Sequence, residues 1–143
     1  MTRAAFPVAV HLFLHTNNQL LMLRRYRTGY EDGNYSVVAG HLDGGEDVYA
    51  AMIREAGEEA GILLQRPALE IVQVMHRKSA AEERVDYFLA CNTWEGEVRN
   101  MEPDKCDDLC WCPWAAIPDN TIGYVRAAIE NYRNGVAFSL YGW

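Results

Sequence analysis

The chain has 143 residues, half of them hydrophobic and 23% charged, a balance that supports one packed domain over residues 1–143 and excludes a disordered chain. Its formal net charge of -7 argues against long nucleic acids as partners, because duplex affinity rests on Lys and Arg neutralising phosphates. A small anionic substrate stays open to it if a metal cation supplies local positive charge.

In chain order, Val8 to Leu14 and Leu20 to Arg24 are apolar runs separated by His15-Thr16-Asn17-Asn18-Gln19, a pattern that predicts a β-hairpin. Tyr26 to Asn34, rich in Gly, Tyr and charge, reads as a loop, and a single strand is expected over Tyr35 to Ala39 before Gly40. Asp47 to Ala60 reads as a helix, with Tyr49, Met52, Ile53 and Ala56 spaced as an apolar stripe toward the core. Asp47 is its expected N-cap and Gly61 its left-handed terminator.

Leu69 to His76 and Arg84 to Cys91 predict two strands paired across a turn near Lys78 to Glu83. After a polar stretch from Glu95 to Asp108, Leu109 to Trp114 suggests a last strand ending near Pro113. Thr121 to Arg133 predicts a second helix through Ile122, Val125, Ile129 and Tyr132, and the aromatic tail from Gly135 to Trp143 has no assignment. Strands interleaved with two helices point to an α/β class with a mixed sheet between helical layers.

No stretch approaches the ~20 apolar residues that span a bilayer, and Met1 to Pro7 lacks a signal-peptide pattern. The expectation is a cytoplasmic protein without a membrane partner, with Cys91, Cys106, Cys110 and Cys112 as reduced thiols. The C-x3-C-x-C spacing of the last three departs from zinc knuckles, and no fourth ligand lies nearby. Oligomeric state stays open between monomer and homodimer, with the tail expected to pack on its own domain.

The chemistry concentrates in Gly40 to Ile62, GHLDGGEDVYAAMIREAGEEAGI. Helical residues three or four apart share a face, with Cβ atoms about 5 to 6 Å apart, so Glu55, Glu58 and Glu59 converge on one patch. Like charges at that spacing destabilise a helix by a few tenths of a kcal/mol, and a divalent cation would offset the cost. Magnesium takes oxygen ligands and is commonly shared between a few carboxylates and substrate phosphates. A lone E-x-x-E-E is more often a solvated acidic face. The surrounding residues decide otherwise.

The segment is identified as a member of the Nudix pattern, G-x5-E-x7-R-E-U-x-E-E-x-G-U with U bulky and aliphatic, through Gly40, Glu46, Arg54, Glu55, Ala56, Glu58, Glu59, Gly61 and Ile62. At typical residue frequencies its seven fixed identities arise by chance with a probability of roughly one in a million. Ala56 is smaller than the usual aliphatic, and Gly57 costs about 1 kcal/mol relative to Ala within a helix. Neither touches a carboxylate.

The resemblance implies a Nudix fold, an α/β/α sandwich around a mixed sheet with a catalytic loop, helix and loop. It implies that Glu55, Glu58 and Glu59, with the Gly40 carbonyl, hold magnesium, with manganese as an alternative, and that Glu46 anchors the box near Arg54. The implied reaction is attack of water on a phosphorus of a nucleoside diphosphate linked to another moiety. A box carboxylate is the expected general base, and Glu102 is the distant alternative. Base recognition calls for aromatics and an amide, for which Tyr26, Tyr30, Tyr35, Trp111 and Asn120 are candidates, although Asn120 suits a helix cap equally. Sequence markers of ADP-ribose and NADH hydrolases are missing downstream of the box, which leaves a (d)NTP split to monophosphate and pyrophosphate as the leading expectation. A dinucleoside polyphosphate, a nucleotide sugar and a silent nucleotide-binding module are the rivals, and the last tends to lose box carboxylates that this chain keeps.

Overall fold

The computed structural model describes residues 2–143. The elements run β1 (Val8–Thr16), β2 (Gln19–Arg25), β3 (Tyr35–Ser36), β4 (Ala39–His41), α1 (Val48–Ala60), β5 (Glu70–Lys78), β6 (Glu83–Cys91), β7 (Cys106–Pro113), α2 (Gly123–Arg133) and β8 (Phe138–Tyr141). The sheet has the order β3-β2-β1-β6-β5-β8, with β4 also on β1 and β7 also on β2.

Strand β1 organises this arrangement. One edge lies parallel to β6 from Val8–Val85 to Leu14–Cys91. The other is divided: β4 pairs with Ala9, Val10 and His11, whereas β2 pairs only at His15 and Thr16. The sheet therefore forks, and β2 departs with β3 and β7 on its two sides. The fork corrects the expectation of one strand from Tyr35 to Ala39. Tyr35 and Ser36 belong to β2's branch and Ala39 to β1's, so the buried Val37 and Val38 bridge two partners.

Both faces of β1 are covered, which is why it reads as an unbroken apolar run. Val10, Leu12 and Leu14 meet Ala51, Met52, Ala56 and Ala60 of α1. Alternation sends Phe13 to the opposite face, where Phe88, Met75, Val125, Ala128 and Ile129 build the core beneath α2. The result is the α/β/α sandwich expected from the sequence. On α1 the buried stripe is centred one position round from the predicted one, with Tyr49 and Ile53 half-buried at its border. Its caps are as read: the Asp47 carboxylate accepts from the Ala50 amide at 2.9 Å, and Gly61 closes the helix at φ 68°.

Three other boundaries differ from the sequence reading. β7 begins at Cys106, inside the segment read as polar, because Arg24 and Arg25 of β2 continue the pairing past the apolar part. α2 begins at Gly123 behind Ile122, without a polar cap. The unassigned tail becomes β8, parallel to β5 from Val74–Phe138 to Arg77–Tyr141, a long-range pairing that no local pattern announces.

A buried polar cluster ties β1, β5 and β6. His11 Nε2 lies 3.0 Å from Asp86 Oδ1, and Arg77 Nε donates to Asp86 Oδ2 at 2.7 Å. Burial opposes the Asp86 charge, yet the His11 and Arg77 hydrogen bonds outweigh it and hold its pKa at about 2. Burial, against the pull of Asp86, lowers His11 below its ordinary 6.5 and keeps it neutral. Both folded values lie below the unfolded ones, so in each case the unfolded chain binds protons first as the pH drops. Stability from this cluster is complete above 6.5, declines below it through His11, and declines again between 3.8 and about 2 through Asp86. Asp86→Asn leaves Arg77 without its buried counter-charge and is expected to cost about 3–5 kcal/mol in urea denaturation at neutral pH. It should also flatten the acid limb below pH 4; a wild-type acid limb in this variant would show that Asp86 does not carry it.

Candidate active site

Arg54, in the middle of α1, is the centre of a carboxylate clasp. Its Nε and Nη2 reach the two Glu46 oxygens at 3.1 and 2.7 Å, and Nη1 reaches Glu55 at 2.7 Å and Glu58 at 3.4 Å. Nη2 also donates to the His41 carbonyl at 3.2 Å, which ties α1 back to β4. The fork-to-fork match of guanidinium and carboxylate makes the Glu46 pair directional as well as strong. The Glu46 hydrogen bond is the main reason that the Arg54 pKa is raised, and the same contact lowers Glu46. Arg54 thus orients Glu55 and Glu58 while Glu46 fixes Arg54.

Gly40 is required by close approach. A Cβ at this position would lie 2.1 Å from the Glu55 carboxyl carbon and 2.1 Å from its Oε1. The absence of a side chain at residue 40 therefore lets the Glu55 carboxylate lie against β4. Glu59 is deeper than Glu58. Burial first, then contact with the Glu55 carboxylate and the charge of Glu102, push it well above the ordinary carboxylate range, with only the Ala39 amide pulling down.

These acids line one wall of a cavity of about 500 Å³ that occupies the fork of the sheet. Glu55, Glu58 and Glu59 come from α1, Leu23 from β2, Ala39 from β4, and Leu109 from β7. Glu102, from the loop before β7, reaches the same space. Three cationic residues that the sequence reading missed, Arg25, Arg27 and Lys105, line it as well. Arg25 is held by its own loop: Nε donates to the Tyr30 carbonyl at 2.7 Å and Nη2 to Thr28 Oγ1 at 3.0 Å. For Arg27 the charge in Tyr26–Asn34 was the available signal, but as a loop it carried no geometry, and Arg25 and Lys105 lay outside it.

The candidate base-recognition residues lie elsewhere. The Tyr35 hydroxyl donates to Asp108, and that bond pushes its pKa up to about 12. Asn120 donates to the Gly33 carbonyl at 2.7 Å and its own carbonyl accepts from the Tyr35 amide, so it clamps a loop rather than capping α2. Tyr26 and Tyr30 sit beneath Arg27 and Arg25, and Trp111 stacks on Trp94 at 5.8 Å. None of the five lines the cavity.

The donor set suits a hard divalent cation, since several carboxylates share one cavity with room for phosphate oxygens. Among the described residues no three acidic, His or Cys side chains form a ready-made cage, and magnesium, which retains waters and shares substrate oxygens, does not need one. Gly40→Ala displaces the end of one flexible side chain, so the melting temperature should stay close to that of the parent. Misplacing Glu55 by about 1 Å should lower hydrolytic turnover about 100-fold. Unchanged turnover in that variant would show that the close approach is incidental.

The NUDIX domain model matches residues 5–130. The chain is similar to a MutT NUDIX hydrolase from Burkholderia pseudomallei, at 28% identity over 89% of this chain and 98% of that one, with a TM-score of 0.81. An ADP compounds hydrolase shares the fold at 21% identity and a TM-score of 0.73, over 92% of this chain and 74% of that one. So does a bifunctional NMN adenylyltransferase/ADP ribose pyrophosphatase from Francisella tularensis, complexed with AMP and a Mn ion, at 18% identity and a TM-score of 0.73 over 93% of this chain and 42% of that one. The family match spans most of the chain and includes both the fork and the carboxylate clasp, and the chain belongs to the Nudix family of hydrolases, enzymes that act on pyrophosphate bonds.

Proposed function

We propose that this enzyme hydrolyses a nucleoside diphosphate linked to another moiety, with a (d)NTP split to monophosphate and pyrophosphate as the reaction. The observation that supports this reading is the presence of both charges in one cavity, with Glu55, Glu58, Glu59 and Glu102 facing a space also lined by Arg25, Arg27 and Lys105. A polyphosphate chain needs both kinds of residue: carboxylates to share a cation with it and basic side chains to take its remaining oxygens.

In this proposal Glu55, Glu58 and Glu59, with the Gly40 carbonyl, hold magnesium, and manganese can replace it. The cation when bound neutralises charge on the phosphoryl oxygens and favours ionisation of the attacking water. The protein's own residues do the rest. Arg54 keeps Glu55 and Glu58 in position, and Glu46 holds Arg54 in turn. Arg25, Arg27 and Lys105 bind the outer phosphates and orient the scissile bond for in-line attack. A box carboxylate, Glu58 or Glu59, removes the proton from water. Glu102 is a second reading for that step because it shares the cavity, with Lys105 Nζ 4.0 Å from its carboxylate.

Glu59→Gln is expected to lower turnover by at least about 100-fold while leaving the fold intact. Should Glu102→Gln cost as much with magnesium affinity retained, Glu102 is the base. Release of phosphate or pyrophosphate from nucleoside triphosphates, ADP-ribose, nucleotide sugars and dinucleoside polyphosphates, with and without magnesium, tests the substrate. The expected result is magnesium-dependent cleavage of the triphosphates; preference for another member of the panel would replace them, and nucleotide binding without cleavage would overturn the enzymatic reading. Millimolar magnesium should also raise the melting temperature, since a ligand bound only by the folded state stabilises it.

A further inference from the structure

A second cavity, of about 220 Å³, opens at the N-terminal end of α2 and shares no lining residue with the first. Arg77, Gly123, Tyr124 and Tyr141 form part of its wall. The helix starts there without a polar cap, because Ile122 occupies the N-cap and no side chain bonds to the first turn. First-turn amides have no intrahelical acceptors and together present about half a positive charge.

Tyr124 provides an independent observation. Only 8% of the residue is exposed, and what remains accessible borders this cavity. Burial holds its pKa well above the ordinary phenol value, so it is a donor at neutral pH. Tyr124 lines the cavity, so a ligand oxygen there could accept from its hydroxyl in place of water. The Arg77 guanidinium lies 3.6 Å over the Tyr124 ring. Asp86 engages its Nε and Nη2, which leaves Nη1 for the cavity. A Cβ on Gly123 would lie 2.5 Å from the Tyr141 hydroxyl, so the bare glycine lets that second phenol sit over the start of the helix. Glu31 also lines the cavity, and its carboxylate accepts from Asn34 Nδ2 at 3.2 Å.

We propose that this cavity is a binding site for a compact oxyanion of the phosphate type, held by the first amides of α2, the Tyr124 and Tyr141 hydroxyls and Arg77. Uncapped amides, two phenols and a guanidinium are all donors, and together they match a group that only accepts. The volume lies below the ~300 Å³ at which pockets enclose whole drug-sized ligands, which favours a phosphoryl-sized group over a complete nucleotide.

The test is a titration of inorganic phosphate into the full chain in EDTA, followed by backbone amide NMR. Saturable shifts are expected at Gly123, Tyr124 and Val125, separate from any at the α1 loop. Tyr124→Phe removes one hydroxyl, and it should weaken binding at α2 about tenfold or more with the rest of the spectrum unchanged. Gly123→Ala, which moves the Tyr141 hydroxyl, should weaken it as well. AMP in the same experiment separates two sources: shifts at the same amides assign the phosphoryl end of a larger metabolite, and their absence beside phosphate binding assigns the free ion. No saturable shift at the first turn of α2 with either probe, or equal affinity in Tyr124→Phe, overturns the proposal.

Discussion

The divided edge of β1 is the constraint on which the rest of the molecule depends. A strand has only two hydrogen-bonding edges, and β1 gives one wholly to β6. Its other edge must serve both β4 and β2, which it can do only in succession. β2 and β4 therefore diverge, and the space between them is the cavity lined by the carboxylates. The site is a consequence of how the sheet is closed, and α1 crosses the opening with its apolar stripe on the sheet and its acidic face on the cavity.

That placement concentrates negative charge, and the structure manages it at close range. Arg54 takes Glu46, Glu55 and Glu58 with one guanidinium, whose fixed fork sets Nε and Nη2 on the two Glu46 oxygens and shares Nη1 between Glu55 and Glu58. Glu59 has no such partner and is pressed toward protonation by burial and by its acidic neighbours. The clasp is a local solution for three carboxylates rather than a neutral site, and the residual charge suits a cation arriving with a phosphate-bearing substrate.

The opposite face of β1 handles buried charge differently. There Asp86 pairs with both His11 and Arg77, so the two buried charges offset each other, and the rings of Phe88 and Tyr124 lie against His11 and Arg77. Arg77 reaches from this cluster to the beginning of α2, so the layer that stabilises the sheet also shapes the smaller cavity. One sheet thus carries two polar centres, one on each side, and each includes an arginine.

The sequence by itself determined the features that depend on local spacing. Runs of apolar and strand-forming residues bounded by polar ones marked β1, β2, β5 and β6, and helical periodicity between Asp47 and Gly61 marked α1 and both of its caps. The glutamates at three- and four-residue intervals already shared a face, so the acidic wall was legible before any fold was known. Tertiary structure decided everything that joins distant segments. Arg25, Arg27 and Lys105 share a cavity with the acids only because the pairing of β2 with β7 brings the ends of these strands together on one branch of the fork. Tyr35 and Asn120 were drawn instead into contacts with Asp108 and Gly33. The split of Tyr35–Ala39 and the pairing of β8 with β5 were likewise invisible, because strand partners are chosen by long-range geometry, whereas periodicity reports only which way neighbouring side chains point.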